Sequence, residues 1–361
     1  MVFEFKDYGL TDVPFVDLQT LQPYSVDPKE NGQIYVNGAT KEVEERVLSR
    51  IKFGDLVTYV ASTGPIKGTG KSALMAHLFW ELQRQHKPSV WTDAQGERSP
   101  GGLVGRIFDS ILSFGLGKES DEAISKFTKD ATEAKLKTII GKSEVPSLAK
   151  INGLMKVLQA EKLEQSTKLA NIRRSIVLYG PLDIFGYYLK ILKEAGIGRI
   201  TVFIDQFEDY IQAQSPSSMQ KLSDDWRTLL GSLRGRASII VSMHGQASVV
   251  MKKLTNYKLA EITGDSQVIV PALTPERGVR LAGAYLAASR VKGFKDGGNE
   301  LNPFEKSVIE YFTKEVDGNP RRLMSALRTT LRVAMEQEMS TVDLSFVKSK
   351  QIQQALRAPA E

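Results

Sequence analysis

Short, almost uninterrupted apolar runs punctuate the chain, separated by longer stretches in which apolar residues return every three or four positions. The short runs read as strands: Leu56 to Ala61, Ser89 to Thr92, Ile200 to Ile204, Ala237 to Val241 and Gln267 to Val270. The periodic stretches read as helices. One starts near Thr40 with Val43, Val47, Leu48 and Ile51 on one face, and Gly54 ends it. A second runs from Lys71 to about His86 with Leu74, Leu78 and Leu82 in line. A third opens at Ser99-Pro100 and carries Leu103, Ile107, Phe108, Ile111 and Leu112. Another spans Leu182 to Ala195. Apolar strands separated by helices imply an α/β fold, a parallel sheet flanked by helices on both faces. From Pro275 onward the pattern is helical throughout.

This pattern divides the chain into an irregular N-terminal extension over residues 1–36, an α/β domain over 37–272 and a small all-α lid domain over 273–361. Residues 118–174 read as a Lys-rich and Glu-rich helical insertion in the α/β domain. No internal repeat and no low-complexity tract interrupts this order.

The strand at Leu56 to Ala61 is followed by Gly64-Pro65-Ile66-Lys67-Gly68-Thr69-Gly70-Lys71-Ser72 and then by a helix. Strand, glycine-rich loop and helix, in that order, are what a phosphate-binding P-loop needs. Glycines let backbone N–H groups converge on phosphate oxygens, and the helix start adds its positive end. Gly64, Lys67, Gly68, Thr69, Gly70, Lys71, Ser72 and Ala73 form the candidate grip for ATP. Lys71 reaches the β- and γ-phosphates in this reading, and the Ser72 hydroxyl holds Mg2+. The loop is one residue longer than the usual spacing, because Pro65 stands where the first glycine is expected. A glycine-rich turn that binds nothing is the plainer alternative.

Ile200 to Ile204 ends in Asp205-Gln206-Phe207-Glu208-Asp209. A carboxylate at the end of a buried strand suits the metal side of a nucleotide site, so Asp205 is the second candidate Mg2+ residue. Many ATPases place a glutamate directly after this aspartate; here the position holds Gln206. Glu208 is the candidate for orienting the attacking water. Glu208 and Asp209 are also the acids expected at a solvated helix start.

These motifs together resemble the AAA+ superfamily and its STAND relatives, especially Orc/Cdc-type initiators and transposition-regulator ATPases. Four stretches carry the resemblance: Gly68 to Ser72, Asp205 to Asp209, the strand Ser238 to Ser242 at the sensor 1 position, and Asp317-Gly318-Asn319-Pro320-Arg321-Arg322-Leu323. The last resembles a sensor 2 element, which implies that Arg321 or Arg322 reaches the γ-phosphate from the lid. Lys71, Asp205, Glu208 and Arg321 are thus the candidate catalytic residues, with Arg322 beside the nucleotide. Leu273-Thr274-Pro275-Glu276 resembles the entry to that lid. The chain departs from the family in three ways. The sensor 1 strand ends Ser242-Met243-His244 without asparagine. No arginine occurs from Ala237 to Glu276, and Arg234 and Arg236 lie upstream of that stretch. About 25 residues follow Glu336, too few for a winged-helix domain.

Composition narrows the remaining classes. The chain has no cysteine, which excludes disulfides, thiol catalysis and cysteine-held metals. His77, His86 and His244 lack ligand spacing. No apolar run is long enough to cross a bilayer, so no membrane partner is expected, and the N-terminus lacks a signal-peptide pattern. A cytoplasmic location follows by default. The formal net charge is +6. Between Lys135 and Arg174, nine Lys and Arg face three Glu, a local balance that equals the whole excess. That segment is a candidate surface for double-stranded DNA, and a solvated helical face is the other reading. The resemblance also implies a homo-oligomer. A signalling or defence switch acting through a protein partner, and a small-molecule kinase, are the competing functions.

Overall fold

A computed structural model of the chain describes residues 4–15, 37–62, 68–97, 100–130, 181–212, 224, 226–227, 229–231, 233–243, 267–294 and 299–357. Its described elements are α1 (Asn37–Phe53), β1 (Val57–Ser62), α2 (Lys71–Arg84), β2 (Ser89–Asp93), α3 (Pro100–Phe114), α4 (Lys118–Asp130), α5 (Pro181–Glu194), β3 (Ile200–Asp205), α6 (Phe207–Gln212), β4 (Ala237–Met243) and β5 (Gln267–Val270). They continue with α7 (Pro275–Ala288), α8 (Lys306–Glu315), α9 (Pro320–Glu336), α10 (Leu344–Val347) and α11 (Lys350–Arg357). The chain separates into two units. One holds residues 45–61 and 75–269; the other holds residues 1–44, 62–74 and 270–361.

The first unit is built on a five-stranded sheet in the order β2-β3-β4-β1-β5. β1 pairs with β4, β4 with β3, and β3 with β2, each in parallel. Every residue of β1, β3 and β4 is buried, which is why these strands read as continuous apolar runs instead of alternating ones. Val57, Tyr59, Val202, Ile204, Ile239 and Val241 face one core with Leu103, Ile107, Phe108, Phe185, Tyr188 and Leu189 from α3 and α5. On the other face Phe79 of α2 packs edge-on against Trp91 and Phe203, whose rings stack at 6.1 Å. Both faces of the sheet are covered by apolar groups, and ligands of parallel α/β sheets generally bind at the carboxyl ends of the strands. Burial pushes the Tyr59 phenol well up, and its oxygen accepts a hydrogen bond from the Trp226 indole at 3.2 Å.

In the second unit, α7, α8 and α9 surround Leu281, Tyr285, Leu286, Phe304, Ile309, Phe312, Leu327 and Leu331. Both long helices after β5 begin the same way. Thr274 caps α7 by accepting the Arg277 N–H, and Asn319 caps α9 by accepting the Arg322 N–H at 3.1 Å; each cap is followed by proline. Proline fixes the first helical φ and lacks a donor that would be orphaned there.

The sequence sets residues 1–36 apart as an extension, and part of that stretch has a different place. Phe5–Tyr8 forms a 3-10 turn, and Tyr8, Leu10 and Phe15 are buried in the helical core. Phe15 meets the edge of Phe304 at 5.9 Å. Leu10 bridges antiparallel to Arg290, whose guanidinium donates to the Tyr8 carbonyl. The Tyr8 hydroxyl donates to the Met339 carbonyl at 2.5 Å. Residues 16–36 and the basic segment 135–174 lie outside the described residues.

Candidate nucleotide site

β1 runs out at Ser62, and α2 begins at Lys71. Gly64 and Lys67 lie outside the described residues; Gly68, Thr69, Gly70, Lys71, Ser72 and Ala73 lie within them. Gly68 and Gly70 have φ of 90° and 89°, values that L side chains rarely adopt. The Leu74 N–H donates to the Gly70 carbonyl at 2.9 Å, so the helix is under way as soon as the glycines end. Lys71, Ser72 and Ala73 therefore occupy the first turn, where backbone N–H groups lack intrahelical acceptors. Lys71 is buried, and its Nζ donates to the Thr69 hydroxyl at 3.2 Å. The loop thus holds its own lysine folded over it.

The same unit brings the sensor 2 candidates to the loop. The Arg321 N–H donates to the Gly68 carbonyl at 3.3 Å. A Cβ on Gly68 would lie 2.6 Å from the Arg321 Cβ, so glycine is required there for packing as well as for φ. Gly318 has a parallel role: its φ is 65°, its carbonyl accepts from Leu273 at 2.8 Å, and a Cβ would strike the Leu273 backbone. These contacts seat the start of α9. Arg321 and Arg322 then stand exposed in its first turn, which contains no acid. Cations at the positive end of a helix are unfavourable by dipole alone, whereas a bound anion there is favoured.

Asp205 stands at the carboxyl end of the interior strand β3 and is buried. Its Oδ1 accepts the Ser242 hydroxyl and the Gln206 N–H, the latter at 3.0 Å. Ser242 lies on the neighbouring strand β4, one residue past the last pair of its register with β3. The sequence marks Ser242 only as the end of the sensor 1 strand, not as a partner of Asp205. The alternation of Ser238, Ile240 and Ser242 on one face of β4 is the signal that could have found it. Asp93, paired with Asp205 across β2 and β3, also escapes sequence reasoning. Its carboxylate receives Arg106 at 2.7 Å, and Arg106 also binds Glu97. Glu208 lies in the first turn of α6 and is buried, at 6% exposure; Asp209 beside it is half-buried.

The Ser72 hydroxyl and the Asp205 carboxylate are each oxygen donors of the kind that the hard ion Mg2+ takes. Among the described residues no group of three or more His, Cys, Asp and Glu could hold a metal ion. No described helix is long and apolar enough to cross a membrane.

No known family's sequence profile matches the chain, and no curated protein matches it. Solved structures do. The Aeropyrum pernix ORC2 protein, in its ADPNP–ADP complexes, is similar over 100% of this chain and 74% of its own, with a TM-score of 0.51 at 11% identity. The Walker-type ATPase PABY2304 of Pyrococcus abyssi matches over 88% of this chain and 71% of its own, with a TM-score of 0.48 at 16% identity. CDC6p from Pyrobaculum aerophilum matches over 100% and 73%, with a TM-score of 0.47 at 11% identity.

Proposed function

We propose that the chain, whose fold is similar to that of the Aeropyrum pernix ORC2 protein, is an AAA+ P-loop ATPase of the Orc/Cdc kind that binds and hydrolyses Mg-ATP and whose nucleotide state controls assembly on double-stranded DNA. The observation that carries the ATP reading is the start of α2: two positive-φ glycines, Gly68 and Gly70, directly precede Lys71 in the first turn of a helix that follows the buried strand β1 in the sequence.

The residues have distinct tasks in this reading. The backbone N–H groups of Gly68 to Ala73 bind phosphate oxygens. Lys71 exchanges the Thr69 hydroxyl for the β- and γ-phosphates, a short movement for a flexible side chain that is already at the loop. Ser72 and Asp205 hold Mg2+, which neutralises phosphate charge when bound. Ser242 and the Gln206 N–H keep the Asp205 carboxylate turned in one direction. Arg321 and Arg322 complete the anion site from the start of α9.

DNA is assigned to the segment from Lys135 to Arg174 on charge alone. A homo-oligomer is assigned on the likeness to Orc/Cdc-type ATPases. One experiment tests these assignments together: ATP turnover and particle size, each with and without duplex DNA. Turnover that depends on Lys71 and Mg2+, with larger particles on DNA, is the expected result. Reversing Lys150, Lys156, Lys162 and Lys168 to Glu should weaken DNA binding and flatten its salt dependence by roughly 0.9 for each phosphate no longer neutralised. Turnover that ignores DNA and responds to a protein partner would transfer the assignment to a STAND-type signalling or defence switch.

A further inference from the structure

The parallel strands β1 to β4 all start at one rim of the sheet, opposite the end that carries Asp205. Backbone hydrogen bonds tie the segments that enter them side by side. The Leu116 carbonyl, just past α3, accepts the Ser89 N–H at 3.4 Å, and the Pro88 carbonyl accepts from Thr201 at 2.9 Å. The Arg236 carbonyl accepts from Ile200 at 3.1 Å, and the Leu56 carbonyl accepts from Ile239 at 2.8 Å. The ends of α1 and α3 and the turns before all four strands therefore share one surface of the first unit.

Two features coincide on this rim. The first is apolar. Phe53 ends α1 at 82% exposure and Phe114 ends α3 at 55%, the two most exposed large apolar side chains among the described residues. A single exposed apolar residue is ordinary, but these two share a rim, one entering β1 and the other beside β2. Two strands lie between, so those positions are about 14 Å apart, three strand spacings. The second feature is charge. Lys87 precedes β2, Arg199 precedes β3, and Arg234 and Arg236 precede β4; Lys52 and Lys193 lie in the last turns of α1 and α5. The helix dipole favours cations at helix ends, which accounts for Lys52 and Lys193 but not for the four outside helices. Two of the acids nearby are already engaged: Asp55 holds Arg50 at 3.0 Å, and Glu119 meets His86 at 3.4 Å. Arg199 covers Gly54, where any Cβ would strike its Nη1, and it has no ion pair among the described residues.

We propose that this rim docks an acidic segment of a partner protein, whose carboxylates meet Arg199 and its neighbours and whose large apolar side chains cover Phe53 and Phe114. Aromatic anchors among charged groups are the anatomy of protein interfaces. A nucleic-acid strand fits less well. It carries a phosphate at every step, whereas Asp55, Glu119 and Glu194 interrupt the cations here. A peptide can set apolar residues opposite those acids. The rim shares no residue with the proposed ATP site and does not depend on that reading.

The test measures fluorescence anisotropy with the full chain and three labelled probes. One is a peptide of Asp and Glu carrying two leucines about 14 Å apart when extended. The others are poly-Glu of the same length and oligo-dT of the same charge. The parent should bind the leucine peptide about tenfold more tightly than poly-Glu, and Phe53→Ser with Phe114→Ser should remove that preference. Arg199→Gln should weaken leucine-peptide binding by about tenfold, and Arg234→Glu, at an exposed site, should weaken it as well. Melting temperature and ATP turnover should stay parental in the phenylalanine double variant and in Arg234→Glu. A parent that binds neither peptide overturns the proposal. Equal binding of the two peptides overturns it too, as does a leucine peptide indifferent to the phenylalanine changes. Oligo-dT that binds more tightly than the leucine peptide, and is lost in Arg199→Gln, would overturn it by transferring the rim to nucleic acid.

Discussion

At the scale of single residues, the site joins groups that tolerate little change. Gly68 serves the loop's curl and the approach of Arg321 together. Gly68→Ala should therefore impair ATP binding and loosen the start of α9, and a nucleotide titration with a thermal melt would record both. Lys71→Ala removes the charge that meets the terminal phosphates; without one such interaction the transition state rises by on the order of 3–4 kcal/mol, which would leave turnover undetectable. Ser242→Ala takes a hydroxyl donor from a buried carboxylate, and hydrogen bonds to charged groups contribute roughly 1.5–3 kcal/mol. Its expected mark is a higher Mg2+ requirement together with lower stability in a urea titration. Parental behaviour in both would separate Ser242 from the function of Asp205. The glycines, Lys71 and Asp205 stand out in the sequence as candidates because the chemistry that marks them is local. The Ser242 partner does not, because it lies 37 residues from Asp205 and only strand pairing brings it near.

At the scale of elements, strand and helix types followed from periodicity, and β1, β3 and β4 showed as apolar runs because both sides of each are covered. Their ends were harder to place. β4 continues through Ser242 to Met243, two residues beyond the apolar run, because pairing with β1 extends it. The start of α9 sets the fold against the proposed anion site. Asn319 caps it, and Asn319→Ala should cost about 1 kcal/mol in a chemical melt. Arg321 and Arg322 oppose the helix dipole in the same turn. Arg322→Glu should then raise the melting temperature while weakening ATP binding; weakening of both would show that the arginine also supports the fold. Asp343 is the reverse case. The Phe346 N–H, and after it the Ser345 hydroxyl, hold its carboxyl below the usual range. A depressed acid contributes stability above its unfolded value and loses it as pH falls through the folded one. The deficit of Asp343→Ala relative to the parent should thus be full at neutral pH and shrink in acid, as read by melts across that range.

At the scale of the whole molecule, ligand binding and folding are linked. ATP at about a hundred times its dissociation constant should stabilise the fold by about 2.7 kcal/mol. Calorimetry should show that gain in the parent and none in Lys71→Ala. The helical core depends on a segment far from it in sequence. Phe15 is 1% exposed, and Phe15→Ala should destabilise that unit by about 3–5 kcal/mol. Nothing in residues 1–36 announced this. Tyr8, Leu10 and Phe15 are isolated apolar residues among prolines and polar groups, with no period to mark a face, and their partners come more than 250 residues later. Their burial has a consequence for synthesis. Tyr8 bonds to Met339 across a separation of 331 residues, so the helical core lacks a wall until almost the entire described chain has left the ribosome. The sheet, whose strands lie between these two stretches, can form earlier. A stalled or shortened chain would then display a folded sheet with Phe15 and Tyr8 still in water, a form that chaperones and proteases recognise.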